Sequence, residues 1–194
     1  MNVSFDTQQP LIPALSSGRF LDPDSLLSHV GVLDGAVVAD FGCGAGYFTV
    51  SAASLVGVDG VVYAVDVLDS ALESVEGRAR SFGLKNISYV RANLEIPGST
   101  QISESSVDLV IVKNMLFQND RRKSIVREAV RVLKRGGRLL VVEWRPRSQS
   151  VVGPEDQKRL SIDSVRTLFD EKLFVSVELI PAGDYHYAFV GIKK

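Results

Sequence analysis

Cysteine and histidine are scarce in this chain of 194 residues, which has one cysteine, Cys43, and two histidines. A single cysteine excludes an intrachain disulfide framework and a CxxC metal site, and it favours a reducing, cytoplasmic setting. Long apolar runs are also missing, so no membrane span is predicted. The first residues lack a basic region followed by an apolar stretch, so they do not predict a signal peptide.

The chain also lacks a large excess of either positive or negative charge. It has 22 Lys and Arg residues and 23 Asp and Glu residues, which gives a formal net charge of -1. Proteins that bind nucleic acid more often have a basic surplus, so a large RNA or DNA footprint is not favoured. We interpret the short basic clusters at 121–123 and 134–135 as the solvated face of one helix. With 45% apolar and 23% charged residues, the chain is predicted to form one globular domain.

Short apolar segments alternate with helical segments along most of the chain. Strands are predicted at 36–41, 61–65, 87–90, 107–112 and 139–142, with two more within 174–192 joined by a turn at 181–184. Helices are predicted from Pro23, with Asp22 as the cap, at 47–56, 70–82 and 120–133, and from Ser161 to about Lys172. The pair Gly136 and Gly137 is predicted to end the helix at 120–133.

This alternation predicts an α/β fold that is Rossmann-like and doubly wound, with a mostly parallel seven-stranded sheet and an antiparallel last strand. Residues 1–20 are predicted to form a flexible leader or lid, and residues 21–194 a single domain. In open sheets of this kind, ligands bind at the carboxyl ends of the strands. The residues just after each strand are therefore the candidates for chemistry.

A glycine-rich turn follows the first predicted strand, and an acid lies at the end of that strand. Gly42, Gly44 and Gly46 have the spacing G-x-G-x-G, which differs from the G-x-G-x-x-G of dinucleotide-binding proteins. Asp40 would oppose a pyrophosphate at this turn and would attract a ligand with ammonium and sulfonium groups. A nicotinamide dehydrogenase is therefore disfavoured.

A second acid, Asp66, ends the second predicted strand, 20 residues after Gly46. A carboxylate in this position accepts both hydrogen bonds of a ribose diol. A glycine turn alone is also typical of a tight strand-to-helix connection without a ligand. The turn together with Asp66 favours a nucleoside-containing cofactor.

Four segments in register resemble the motifs of class I S-adenosylmethionine-dependent methyltransferases. They are 38–48 (first motif), 62–66 (second), 106–110 with 114–116 (fourth), and 132–140 (the motif before strand five). The resemblance runs from about Leu21 to the C-terminus and is closest to small methyltransferases of the ubiquinone and menaquinone biosynthesis type. It implies S-adenosylmethionine as the cofactor and methyl transfer as the reaction.

The resemblance also implies roles at the methionine end of the cofactor. Asp40 would hold the methionine ammonium, directly or through water. The turn around it would line the same end, through Gly42, Cys43, Gly44 and Gly46. In this interpretation Cys43 is a small residue that fills the loop and is not a nucleophile.

Further roles follow for the nucleoside and for the sulfonium. Asp66 would bind the ribose hydroxyls, with Val67 against the adenine. Asn93, followed by Leu94, stands where the family usually has Asp for the adenine amino group, and an Asn carbonyl still accepts that bond. Asn114 and Met115 would close the cofactor pocket near the sulfonium.

The sequence disfavours several classes of methyl acceptor. An Asn-Pro-Pro-Tyr segment, typical of methylation of exocyclic amines on bases, is absent after strand four. Acids that would hold a hard cation are absent there too, so no metal is predicted. Arsenic methylation of the known kind needs several cysteines, and the two-glutamate loop of protein arginine methyltransferases is missing. We therefore predict an unidentified, small-molecule acceptor.

The acceptor side also lacks a residue that many relatives have, a histidine after the Asn of the fourth motif. Phe117 and Gln118 stand there instead, so a base comes from elsewhere or is not needed, as for thiolates and carboxylates. We predict that His186, at the start of the last strand, lies beside the methyl donor as base or acceptor-orienting group. Packing of His186 against a helix is the alternative. The predicted substrate residues are Phe117, Gln118, Trp144, Tyr185 and Tyr187.

Two functions remain open at this point. The leading interpretation is an enzyme that methylates a small molecule, and the intact glycine turn and Asp66 favour it. The alternative is a non-catalytic S-adenosylmethionine-binding partner subunit or sensor with a methyltransferase fold, which the missing histidine weakly favours.

Overall fold

The computed structural model of the chain describes residues 20–148 and 153–194. The predicted leader at 1–20 lies outside these ranges except for Phe20. The strands are β1 (Val37–Phe41), β2 (Val61–Asp66), β3 (Ile87–Arg91), β4 (Val107–Lys113), β5 (Leu133–Trp144), β6 (Phe174–Ala182) and β7 (His186–Lys193). The helices are α1 (Pro23–Val30), α2 (Tyr47–Leu55), α3 (Asp69–Ser81), α4 (Arg122–Val132) and α5 (Ile162–Arg166), with 3₁₀ turns at Leu116–Gln118 and Asp156–Lys158.

The strands form one seven-stranded sheet in the order β3-β2-β1-β4-β5-β7-β6. Strands β1 to β5 pair in parallel, whereas β7 is antiparallel to both of its neighbours, β5 and β6. The predicted fold class, including the antiparallel last strand, is confirmed. The strand order reverses between β1 and β4, which is the place where sheets of this kind open a crevice for ligands.

Two apolar layers cover the two faces of the sheet. One layer packs α1 and α2 against the sheet through residues such as Leu27, Ala52 and Ile111. The other packs α4 and α5 against the opposite face through residues such as Ile125, Val165 and Phe189. Since side chains alternate along a strand, Asp40 lies on the same face as Val38 and Lys113 on the same face as Ile111, both toward α2.

The first helix begins as its sequence predicts. The Asp22 side chain accepts a hydrogen bond from Asp24 N at 3.2 Å, and Pro23 is the first helical residue. Leu26, Leu27 and Val30 form its buried side.

The junction between α4 and β5 differs from the prediction. The helix runs over Arg122–Val132 and β5 starts at Leu133, so Gly136 and Gly137 lie within the strand and do not end a helix. Leu133 already pairs with Val107 of β4. A Cβ on Gly137 would lie 2.9 Å from Lys134 O, so the glycine is needed for this close backbone packing.

The fifth helix is shorter than predicted. Ser161 caps it as expected, with its Oγ accepting from Ser164 N at 3.2 Å, but the helix ends at Arg166 and does not extend to Lys172. The chain turns so that Phe169 is buried against Phe174, with ring centroids 5.1 Å apart. Burial of the Phe169 ring outweighs the weak tendency of residues 167–172 to continue the helix.

A buried carboxylate ties the loop after β3 to α4. Both oxygens of Glu128 accept hydrogen bonds, from Gly98 N at 2.9 Å, from Thr100 Oγ1 at 2.6 Å, and from Arg131 Nε and Nη2 at 2.9 and 2.8 Å. Burial alone would raise the pKa of Glu128, but these bonds lower it to about 2. The loop is therefore held by an ion-paired side chain that is 2% exposed.

Candidate active site

A pocket of about 650 Å³ opens at the carboxyl ends of β1, β2 and β4, where the strand order reverses. Its volume lies within the range of small-molecule and cofactor sites. All but one of the predicted cofactor-binding residues line it, namely Asp40, Gly42, Cys43, Gly44, Asp66, Val67, Asn93, Leu94, Asn114 and Met115. The exception is Gly46, which lies behind the turn as the N-cap of α2.

The glycine turn is shaped by two different requirements. Gly42 has a φ of +75°, and a Cβ there would lie 2.8 Å from Met115 Sδ, so glycine lets the turn pack against the loop after β4. Gly44 has a φ of +52°, and a Cβ there would meet no atom within 4 Å. Gly44 therefore leaves open space on the pocket side, where a ligand can approach the backbone.

Asp66 is held by the backbone of this turn and of its own. Its Oδ2 accepts from Gly44 N at 3.0 Å and its Oδ1 from Leu68 N at 3.1 Å. Each carboxylate oxygen has a second lone pair that remains for a ligand. The carboxylate is therefore fixed in place and can accept from a pair of neighbouring hydroxyl groups.

Asp40 forms a buried negative site at the floor of the pocket. It is 2% exposed, and its Oδ2 accepts from Thr49 Oγ1 at 2.6 Å. Burial is the main reason that its pKa rises to about 6, with hydrogen bonding to Thr49 and the nearby Lys113 charge opposing that rise. A ligand cation would favour the ionised form.

Lys113 is a pocket residue that the sequence analysis missed. It ends β4, directly before Asn114, and its Nζ lies 5.8 Å from the centroid of the Phe48 ring. Burial lowers the pKa of Lys113, while Asp40 and Glu143 act in the opposite direction. The signal in the sequence was a charged residue at the carboxyl end of β4, directly after the apolar run 109–112.

The side of the pocket next to Asp66 is apolar. Val67 and Leu68 are 52% and 59% exposed, which offers a flat apolar surface beside the carboxylate. Asn93 lines the same pocket, and its Oδ1 accepts from Glu95 N at 3.0 Å, which leaves one lone pair and the amide NH₂ group for a ligand. Leu94, the next residue, is buried.

A buried polar group lies behind the pocket wall at Asn114. His186 places its Nε2 3.1 Å from Asn114 Nδ2, and the Trp144 ring stacks on the imidazole at a centroid distance of 4.1 Å. Burial, aided by the charge of Lys113, lowers the pKa of His186 to about 4, so the imidazole is neutral at pH 7. Within the described residues, Asn114 Oδ1 and His186 Nδ1 have no hydrogen-bond partner.

Glu143 supports the loop after β4 from the other face of the sheet. It is fully buried, and its Oε1 accepts from Leu116 N at 2.8 Å. Burial raises the pKa of Glu143 to about 7, although backbone N–H groups of this loop oppose the shift. A buried carboxyl group thus helps to hold the loop that contributes Asn114 and Met115.

The residues 33–170 match the family model described as "Methyltransferase domain". This stretch is more than half of the chain and contains β1 to β5 with every residue that lines the pocket. The chain belongs to this methyltransferase family. The class I S-adenosylmethionine-dependent methyltransferase assignment made from the sequence is confirmed, and S-adenosylmethionine is the methyl donor of that class.

Curated relatives of this chain are similar to it over part of their length. A ubiquinone/menaquinone biosynthesis C-methyltransferase (UbiE) from Pasteurella multocida is 36% identical over 115 residues, which cover 59% of this chain and 42% of that protein. An arsenite methyltransferase from Aquipseudomonas alcaligenes is 33% identical over 112 residues, covering 56% of this chain and 32% of that protein. The match therefore spans less than half the length of each of these relatives.

The fold is shared over nearly its whole extent with a solved methyltransferase structure. A SAM-dependent methyltransferase from Aquifex aeolicus has a TM-score of 0.80 at 22% identity and covers 90% of this chain and 91% of its own. At this identity the comparison establishes the fold alone.

The predicted acceptor residues are dispersed in the structure. Gln118 lines the pocket, whereas Phe117 is partly buried beside it and does not belong to the lining. Tyr187 is buried on the α5 side, where its hydroxyl donates to Leu160 O at 2.9 Å. Tyr185 precedes β7 and packs against Phe20, with ring centroids 5.0 Å apart.

The single cysteine has the environment of a packing residue. Cys43 is 8% exposed, and burial, together with the charges of Asp40 and Asp66, raises the pKa of its thiol. A protonated thiol is a poor nucleophile, which agrees with the role of a loop filler.

Residues 20–148 and 153–194 contain neither a cluster of potential metal ligands nor a membrane-spanning helix. No group of three or more His, Cys, Asp or Glu side chains there has the geometry to hold a metal ion, and the prediction of no metal stays a prediction. None of the helices in these ranges has the length and apolar character needed to cross a membrane.

Proposed function

We propose that this methyltransferase binds S-adenosylmethionine in the pocket between the glycine turn, Asp66 and Asn114, and methylates a small-molecule acceptor. One observation carries the proposal: three matching groups line the same pocket. They are the open backbone at Gly44, the fixed carboxylate of Asp66 and the buried carboxylate of Asp40. These groups match a nucleoside diol and an ammonium group. S-adenosylmethionine, the methyl donor of the family to which the chain belongs, carries both of these groups.

When it is bound, S-adenosylmethionine supplies an electrophilic methyl group on a sulfonium. The chain supplies the positioning. Asp66 would accept hydrogen bonds from the ribose hydroxyls, Val67 would cover the adenine, and Asn93 would meet its amino group. Asp40 would attract the ammonium, and Asn114 with Met115 would border the reacting centre, where displacement of water favours transfer between bound partners.

On the acceptor side, His186 approaches the pocket through Asn114. With the Asn114 amide as placed, Nδ2 donates to His186 Nε2, so the neutral imidazole has its proton on Nδ1 and no free lone pair. In this geometry His186 is better suited to orienting Asn114 and the acceptor than to removing a proton from the acceptor. The roles of His186, Phe117, Gln118, Trp144, Tyr185 and Tyr187 stay predictions.

The named relatives suggest two kinds of acceptor, a quinone-precursor carbon and arsenite. Arsenite binding requires thiolates, and Cys43, the one cysteine of this chain, is buried with a raised thiol pKa. We therefore favour an organic small molecule.

Calorimetry tests the proposal directly. We expect S-adenosylmethionine and S-adenosylhomocysteine to bind and NAD not to bind, because Asp40 opposes a pyrophosphate at the glycine turn. Binding of NAD with similar affinity would contradict the assignment. A methyl-transfer screen corrected for cofactor hydrolysis then separates the enzyme from the non-catalytic binding protein, since the latter binds both ligands and methylates nothing.

The affinity for S-adenosylhomocysteine is expected to fall as the pH drops through about 6. The pKa of Asp40 is raised to about 6, so below this pH the group becomes neutral and no longer attracts the ligand ammonium. Dissociation constants measured between pH 5 and 8 check this. Asp40→Asn keeps the contact with Thr49 and should bind more weakly at pH 8, with a flatter profile. A profile in the variant as steep as in the original protein would assign the titration to another group.

A further inference from the structure

The pocket contains a cation that has no ion-pair partner among the residues that the structure describes. Lys113 lines the pocket, and its ammonium forms no salt bridge and donates no hydrogen bond within residues 20–148 and 153–194. Its one recorded contact is with the Phe48 ring, at 5.8 Å, which is near the limit of a cation–π interaction. A partly buried cation without a partner costs free energy unless a ligand provides the opposite charge.

Lys113 and Asp40 form a pair of opposite charges that are held apart. Both side chains lie on the α2 face of the sheet at the ends of adjacent strands, where Phe41 of β1 pairs with Val112 of β4. They are close enough to influence each other's pKa, yet no ion pair joins them. The Asp40 carboxylate is instead bonded to Thr49. The pocket therefore contains one negative and one positive group that do not form an ion pair with each other.

An α-amino acid group has the matching pattern, an ammonium and a carboxylate on one carbon atom. We propose that Lys113 binds the α-carboxylate of the cofactor's methionine moiety while Asp40 attracts its ammonium. The inference rests on the proposed function, because it takes the ligand to be S-adenosylmethionine. It assigns to Lys113 a role that the G-x-G-x-G turn, Asp66 and the fourth-motif asparagine do not provide.

The alternatives to this role are weaker on the same observations. A lysine that only extends into solvent would leave its ammonium exposed. Lys113 is only partly exposed, and burial is the largest influence on its pKa. A lysine that served the acceptor alone would not need to lie beside Asp40, on the α2 side of the pocket and next to the Phe48 ring.

The test compares two ligands that differ only in the carboxylate, S-adenosylhomocysteine and its decarboxylated analogue. Calorimetry should show that the original protein binds S-adenosylhomocysteine about ten- to thirty-fold more tightly, as expected for a hydrogen-bonded ion pair. In Lys113→Met this preference should disappear, because S-adenosylhomocysteine binds more weakly while the analogue binds as before or better. Lys113→Arg should restore part of the preference.

Lys85→Met is the matched control, since Lys85 is exposed at the opposite end of the sheet, before β3. It should leave both dissociation constants unchanged. If Lys113→Met weakens both ligands by one factor, or neither, the proposal for Lys113 is wrong while the proposed function stands. If the original protein binds neither ligand, the proposed function fails first. Retained binding of the analogue also shows that the variant is folded.

Discussion

Replacing Asp66 by alanine is expected to weaken S-adenosylhomocysteine binding about a hundred-fold, with the fold intact. The hydrogen bonds from the ribose diol to a charged group are lost, and such interactions contribute about 1.5–3 kcal/mol net, the upper end of which corresponds to about a hundred-fold in affinity. The variant also releases Gly44 N–H and Leu68 N–H, which the carboxylate fixes in the original protein. Both effects weaken the same side of the pocket. Calorimetry should therefore show their sum as one increase in the dissociation constant.

Two further variants make the Asp66 result specific. Asp66→Asn keeps one oxygen acceptor and should show an intermediate loss. Asp59→Ala removes an exposed carboxylate from the opposite end of β2 and should leave the dissociation constant unchanged. An unaltered affinity in Asp66→Ala would mean that the cofactor does not contact this carboxylate.

Replacing Glu128 by alanine is expected to lower the free energy of unfolding by about 3–5 kcal/mol, the usual cost of removing one member of a buried ion pair. The change leaves the N–H of Gly98, the hydroxyl of Thr100 and the guanidinium of Arg131 without their acceptor. Urea unfolding, followed by circular dichroism, measures the effect as a lower midpoint. Glu128→Gln retains the size of the side chain and should be less destabilised.

The pH dependence of the Glu128 effect has a defined sign. The pKa of Glu128 is lowered in the folded protein, from an ordinary value of 4.5 to about 2. Its stabilisation is therefore complete above pH 4.5 and is lost as the pH falls from there toward 2. Glu128→Gln should lack this part of the acid dependence. Glu73→Gln, at an exposed position of α3, should change stability by less than about 0.5 kcal/mol; an equal loss in both variants would refute a special role for Glu128.

The parts of the fold and site that sequence could predict depend on local patterns. The apolar runs before Asp40 and Asp66 end at turns, and parallel strands bring those turns to one edge of the sheet, so two acids separated in sequence could be assigned to one pocket. The antiparallel last strand followed in the same way from the turn signal near Gly183.

The parts that sequence could not predict depend on contacts between distant segments. Leu133 is a strand residue because Val107 offers it a partner, although its own neighbours favour a helix. The position of His186 behind Asn114 depends on the register that pairs it with Trp144. The role proposed for Lys113 could not be predicted either, because it depends on Asp40 in β1. Nothing in the sequence of β4 indicates that neighbour.

The placement of β7 between β5 and β6 sets the order in which the sheet can be completed during folding. Strands β1 to β5 each pair with a strand that precedes them or directly follows them in the chain, so this part of the sheet can form before β6 and β7 join it. Strand β6 precedes β7 in the chain, yet among residues 20–148 and 153–194 its one neighbour in the sheet is β7. Until residues 186–193 have taken their place between β5 and β6, the folding domain has an open edge at β5 and a separate unpaired strand, which is the state in which edge strands associate with other chains.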